Sequence, residues 1–486
     1  MSSFTPDLPG YTPVQTGFEA PADGSPLHRV FGLDVLRGIA VTGALFISIW
    51  IFGGLTENRQ NGITVQSGGM DYWLLNTMSV ILEGKMLTLI ALVFGASMLL
   101  YLFADNKFQR LRNADFFMRR QLWLIAIGLI NALVFLWSND IVFHLGLMGV
   151  LLFPFVRLTG RGLLVAALLA ALIFSGKNYW RYADDQEVYT KYLAVTQVEK
   201  KFKKDSAANA RAIAGKALKD TSAKQVKDTL TKKQKNEKEA WLGLVKNTKY
   251  DPKKDEEKHK AMRGGSYAKL WNHQLQGTQG REAQWTYQFG IWVLGAAILL
   301  GMALLKFNFF DPGFPARNYL LIASAGLVIG LSCCWFRLHY TRLALLDYQK
   351  YITRPLPYNL LFGFEMLALA LAYASMMLLL VKVQVLKPVW RVFALAGQMS
   401  LSNYLLQSII CLLFFTGLGL GYFGRLQQWQ LYVVAAEVVL VNLVFSFFWL
   451  SHFSYGPAEW LLRCLVYKRW ITNRRNKVFE STIALS

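Results

Sequence analysis

A chain of 486 residues that is 54% hydrophobic, with its apolar residues gathered in runs of roughly 18–25, does not describe a soluble globular protein; such runs cross the ~30 Å hydrocarbon layer as helices. The formal charge of +22 does not make it a nucleic-acid binder: residues 176–285 alone hold 25 Lys/Arg against 14 Asp/Glu, and much of the remaining surplus flanks apolar runs. The four cysteines, Cys333, Cys334, Cys411 and Cys464, lie in or beside apolar runs and lack the spacing of a metal site or a disulfide framework.

Residues 1–28 are polar and rich in Pro, Gly and Thr, without the basic start and apolar core of a signal peptide, and read as a disordered tail. The hydropathy pattern then predicts an all-α polytopic bundle of about ten spans, near 31–53, 76–103, 121–137, 141–157, 162–180, 286–305, 318–336, 359–382, 392–416 and 430–450. The bundle falls into halves, 29–175 and 286–455, around a basic insert, 176–285, and ends in a basic tail, 456–486. Basic loops at 104–120 and 382–391, the tail from Arg463, and the pairs Arg157/Arg161 and Lys306/Arg317 fall on one side if both termini are cytoplasmic. The loop 337–358, with Arg337, Arg342, Lys350 and Arg354, disagrees and is outvoted. The insert then lies outside the cytoplasm. Its Lys-, Ala- and Gln-rich middle favours exposed helices with too few apolar positions for a sizeable core of its own, a helical hairpin or lid. Two readings stay open for its charge: a solvated surface, or a contact for an anionic envelope polymer or lipid headgroups.

The first span opens LDVLRGIAVTG. Asp34 and Arg37 share a face and can pair, Gly38 admits a close neighbour, and the pair either anchors the span end or holds an anionic ligand. In the second, LEGKMLTLIALVFGASM, the two-residue offset puts Glu83 and Lys85 on different faces, so each must find a partner elsewhere. In LWSNDIVFHLG, Asn139 and Asp140 suit a helix cap, and His144 lies one turn on, on the same face as Asp140. That spacing serves a general base or a structural hydrogen bond equally.

Five segments in order, LDVLRGIAVTG, GKMLTLIALVFGASM, NDIVFHLGLMGVLL, GQMSLSNYLLQSIIC and YGPAEWLLRCLVYKRW, resemble the YeiB family, a domain of unknown function. The resemblance spans the membrane region at both ends and omits the basic insert. The family is similar, distantly, to transmembrane acyltransferases of bacterial inner membranes. That implies transfer from a cytoplasmic donor such as acyl-CoA to a glycan, with Asp34, Arg37, Lys85, Asp140, Asn403, Gln407, Glu459 and Arg463 on the family pattern. Glu459 and Arg463 are structural in this reading; Asp140 and His144 are catalytic; Asn403 and Gln407, four apart, hold the reacting carbonyl. Two positions depart from the pattern: Ser48 stands where the family often has Asn, and Asn131 where it often has His. Asn131 cannot take a proton at neutral pH, which turns attention to His144. A carrier of a small anionic or glycan-like solute, or a membrane anchor for a partner-binding insert, are the alternatives.

Overall fold

The computed structural model describes residues 30–66, 68–103, 110–215 and 230–474; the expected N-terminal tail lies outside them. Among the described residues the chain is helical, in the order α1 (Phe31–Phe52), α2 (Glu57–Gln66), α3 (Gly69–Ile81), α4 (Lys85–Phe103), α5 (Arg110–Leu133), α6 (Val142–Leu151), α7 (Gly160–Gly215), α8 (Lys232–Thr248), α9 (Pro252–Arg263) and α10 (Tyr267–Gln279). After α10 a wide π-helical stretch, Gly280–Leu294, leads into α11 (Gly295–Lys306). Then come α12 (Ala316–Leu346), α13 (Tyr348–Ile352), α14 (Phe362–Lys382), α15 (Lys387–Gln398), α16 (Ser400–Phe415), α17 (Gln428–His452) and α18 (Pro457–Tyr467).

Eight of the described helical stretches are long and apolar enough to cross a membrane, nine if α15 and α16, bent by 81°, count as one broken span. This corrects the expected ten. The apolar run at 141–157 breaks into the ten-residue α6 and a 3₁₀ turn, Phe153–Arg157, so its helix covers only about 15 Å. Two glycine pairs set the tightest crossings. A Cβ on Gly38 would collide with the Phe393 carbonyl and one on Gly397 with the Asp34 carbonyl, so α1 and α15 touch backbone to backbone. Gly95 and Gly301 do the same for α4 and α11, each facing a carbonyl of the other helix.

The basic segments gather at one end of the bundle. Lys306 Nζ donates to the Val156 carbonyl at 2.9 Å, and Lys382 Nζ to the Pro312 carbonyl at 3.0 Å, each satisfying a carbonyl that ends a helix or turn. The expected basic tail is in part a packed element, since α18 lies against α5 and α16.

The insert covers the other end. Here α7, 56 residues and about 84 Å long, runs far beyond a bilayer's thickness without a break near residue 176. A capping box of Thr231 and Gln234 starts α8, which packs back on α7 through Lys238 and Glu199 at 2.6 Å. Its apolar side is shared rather than independent: Tyr182, Tyr189 and Trp241 pack with Tyr351 and Ile352 of the loop between spans. Next, α9 docks on the end of α1, with His259 Nε2 3.2 Å from the Gly54 carbonyl and Arg263 Nε donating to the Phe423 carbonyl at 2.7 Å.

Arg337 is not a free loop charge: Nε meets Glu365 Oε2 at 2.8 Å and Nη1 meets Glu83 Oε2 at 3.4 Å.

Candidate functional site

The loop Val134–Ile141, between α5 and α6, turns inward, and Leu136 in it takes the left-handed φ of 53°, a strained choice for a branched side chain. The turn buries Asp140 completely. Its Oδ2 accepts the Phe143 N–H at 2.7 Å, the helix cap expected of it, and its Oδ1 accepts Asn131 Nδ2 at 2.8 Å. Tyr404 of α16 closes the loop from the other side: its hydroxyl accepts Trp137 Nε1 at 3.0 Å and the Ile141 N–H at 3.1 Å. With two donors already aimed at its oxygen, the phenol proton is left to give to the Asp140 carboxylate beside it.

His144 is also fully buried, yet its partner is not the one the four-residue spacing implied. Nδ1 lies 2.9 Å from the Asp140 backbone carbonyl, the ordinary i–4 oxygen of its own helix, while the carboxylate turns to Asn131. The acid that His144 faces is Glu282, at 3.7 Å from Nε2, with the Arg281 carbonyl at 3.4 Å. Both residues open the π-helical stretch. Arg281 stacks its guanidinium 3.3 Å from the centre of the Trp285 ring, which meets the imidazole edge-on at 4.8 Å.

Nδ1, facing a carbonyl, must donate, so Nε2 carries the lone pair of a neutral imidazole. A lone pair facing a carboxylate would be repelled. At 3.7 Å the two groups are beyond hydrogen-bond distance, and Nε2 and the carboxylate are both left open to a further proton donor. Several polar atoms around them have no protein partner among the described residues: both Glu282 oxygens, Arg281 Nε, Asn131 Oδ1, both amide atoms of Gln121, and Gln407 Nε2. Buried orphans of this kind are uncommon in a packed interior.

Beside Tyr404 and Trp137 is a cavity of about 10 Å³, room for about one water, lined by Ser48, Gln407 and Ser408. Five of the residues singled out in the sequence thus fall in one neighbourhood: Ser48, Asn131, Asp140, His144 and Gln407. Others do not. The amide of Asn403 is taken up by the Ala396 carbonyl at 3.1 Å and Ser446 Oγ at 2.8 Å, so the pair with Gln407 is not formed. Lys85 lies fully buried in a different place, 2.8 Å from Glu365 Oε1. Asp34 and Arg37 pair at 3.0 Å at the basic end, and Arg37 reaches Ser97 Oγ on α4 at 2.7 Å. Glu459 caps α16, accepting the Leu401 N–H at 2.7 Å and the Ser402 N–H at 3.1 Å; Arg463 lies over the Tyr455 ring at 4.3 Å.

Sequence reasoning missed Arg281, Glu282, Trp285 and Tyr404. The first three fall within 176–285, the stretch whose composition reads as a solvated insert. The signal available was the run REAQWTYQF, where charge passes into aromatic residues without a break.

The model of the family described as "Protein of unknown function (DUF418)" matches residues 304–469. The chain is 24% identical to the uncharacterized protein YxaH of Bacillus subtilis over 91% of its length and 95% of that protein's. It is 25% identical to the uncharacterized protein YeiB of Escherichia coli over 90% of its length and 96% of that protein's. No solved structure matches significantly.

Proposed function

We propose, from the premise that this chain is a multi-pass membrane protein of the YeiB family (DUF418), that it transfers an acyl group from an activated donor such as acyl-CoA to a hydroxyl of an envelope glycan or similar acceptor. The observation that carries the reading is His144, buried in the bundle interior with Nε2 turned to Glu282, at the start of the helix whose entry loop Tyr404 ties down from the Ser48–Gln407 cavity. In this scheme Nε2 takes the proton of the acceptor hydroxyl as its oxygen attacks the thioester carbonyl. The thiolate leaves and recovers that proton from the imidazolium, so no other reactant is needed. Gln407 Nε2, without a partner of its own, donates to the oxygen as negative charge develops on it. Glu282 orients the imidazole and stabilises its charged form, and Asp140 holds the loop through Asn131 and Tyr404 rather than acting on the substrate.

The basic end faces the cytoplasm in this reading, as the excess of Lys and Arg requires, with both termini there and the insert on the far side of a bacterial inner membrane. The donor then enters at the basic end and the acceptor under the insert, whose Lys-rich surface suits an anionic polymer. A cavity of about 10 Å³ admits neither substrate, so turnover needs the helices to part. The piece most suited to move is α10 with its π-helical extension, latched over the loop by Tyr267, whose hydroxyl donates to the Val134 carbonyl at 3.0 Å.

Purified protein incubated with labelled acyl-CoA and cell-envelope extract tests the reading. Label transfer that disappears in His144→Ala, with membrane insertion intact, supports it; transfer unchanged in that variant removes His144 from the mechanism. The unpartnered polar atoms favour one rival, a carrier of a small polar solute. Solute counterflow in vesicles without any label transfer decides for that rival.

A further inference from the structure

At the basic end, arginines of α1 and α5 meet on one face of α4, and an arginine of α18, which packs against α5, lies near them. Phe94, Ser97 and Tyr101 lie along that face at three- and four-residue spacing. Arg37 of α1 donates to Ser97 Oγ at 2.7 Å. Arg120 of α5 lays its guanidinium over the Phe94 and Tyr101 rings at 5.9 and 5.7 Å. Arg463 of α18 is close enough to act on the charge of Arg120, as Arg37 is. Tyr467, one turn past Arg463, brings its hydroxyl to 3.5 Å from that of Tyr101.

The acid supply here is short. Asp34 pairs with Arg37, but among the described residues neither Arg120 nor Arg463 has a carboxylate within salt-bridge distance. The contrast with Arg337, another arginine drawn into the bundle, is direct, since that one has Glu365 and Glu83. Gathering three like charges against aromatic rings costs free energy unless an anion joins them. Planar guanidinium forks with two phenol hydroxyls at their edge are suited to phosphate oxygens, which accept several bidentate hydrogen bonds at once.

We infer that Arg37, Arg120 and Arg463 form a binding site for the phosphate of a ligand entering at the basic end. Two sources carry that chemistry: a nucleotide-type donor such as coenzyme A, or an anionic phospholipid headgroup. Assigning the site to the donor rests on the acyl-transfer reading; the anion site itself does not. Arg37 precedes Ser48 by eleven residues on α1, about 16 Å along the helix, so a ligand held here needs an arm of that length to reach the cavity.

The test is equilibrium binding of labelled coenzyme A to the full chain in nanodiscs of neutral lipid, repeated with phosphatidylglycerol added as competitor. Arg120→Gln and Arg463→Gln are each expected to weaken coenzyme A binding about tenfold or more, the loss of a charge-assisted contact. Arg120→Lys, which keeps the charge, is expected to recover part of it, and this excludes misfolding as the cause. His144→Ala should bind as the wild type does. If coenzyme A does not bind but phosphatidylglycerol stabilises the wild type against heat and not Arg120→Gln, the ligand is the lipid headgroup. Wild type and both Gln variants responding alike to both probes overturns the site. Phosphate binding that needs Arg120, in a protein with no acyl transfer under any condition, leaves this site standing and removes the reading of the preceding section.

Discussion

Two of the places where the bundle buries polar groups are treated in opposite ways. In the first, Lys85, Glu365, Arg337 and Glu83 join α3, α4, α12 and α14, and every charge has its counterpart: Lys85 meets Glu365 at 2.8 Å and the Ser79 carbonyl at 2.7 Å, and Arg337 meets both acids. In the second, around His144 and Glu282, a strained loop and a π-helical stretch bring polar side chains together and leave seven of their atoms without protein partners. A closed network holds helices in register; an open one of the same size destabilises the fold at each orphan by about 1–3 kcal/mol. The difference teaches which cluster to regard as architecture and which as a place where something else binds.

The sharpest way to break the comparison is to remove the acid at the centre of the closed network. Glu365→Ala leaves Lys85 and Arg337 buried with only the distant Glu83 between them, and a loss of about 3–5 kcal/mol is expected, read as failed insertion or a steep fall in thermal midpoint in detergent. Lys85→Ala should cost less, because Glu365 keeps Arg337; equal losses would mean that the network is not centred on Glu365. The open cluster should behave in reverse. Glu282→Gln keeps the shape and removes the charge from an acid that already lacks hydrogen bonds, so stability should change by less than about 1 kcal/mol. Acyl transfer in the same variant should fall by roughly 10²–10⁴, the range of a lost acid–base contribution. A variant that unfolds while the remaining folded fraction is fully active would make the second cluster architecture too.

Much of the fold was legible because its determinants are local. Apolar runs of sufficient length, Gly38 as a contact point and the basic flanks can each be read from a window of twenty residues. Where the reading failed, a tertiary partner decided the outcome. The run at 141–157 is the exception, a local one: its composition is span-like, but Pro154 stops the helix after ten residues and opens the 3₁₀ turn. The insert's apolar positions, too sparse for a core of their own, pack with Tyr348 and Tyr351 of the loop between spans. The site divides along the same line. Spacing pointed to Asp140 and His144 together, yet no spacing rule could show that the Asp140 carboxylate would be occupied by Asn131, or that Glu282 would arrive from the end of the insert.

The finest test of the two clusters uses Gln407, because there stability and function are expected to move in opposite directions. Its Nε2 is buried without a protein partner, next to the cavity shared with Ser48 and Tyr404. Replacing it by Leu, of similar volume, removes a desolvated donor and adds apolar contact, so stability should hold or rise, by up to about 1 kcal/mol, read as a thermal midpoint no lower than that of the wild type. A donor kept only for packing would leave activity untouched. A donor kept for the oxygen of the reacting carbonyl would lower acyl transfer by about 10²–10³, as removal of one such hydrogen bond does elsewhere. Asn403→Leu, one turn earlier, supplies the control: its amide is bonded to Ala396 and Ser446, so there the loss should fall on stability. Two amides four residues apart on one helix, one costing activity and the other costing fold, would separate site from scaffold within α16 itself.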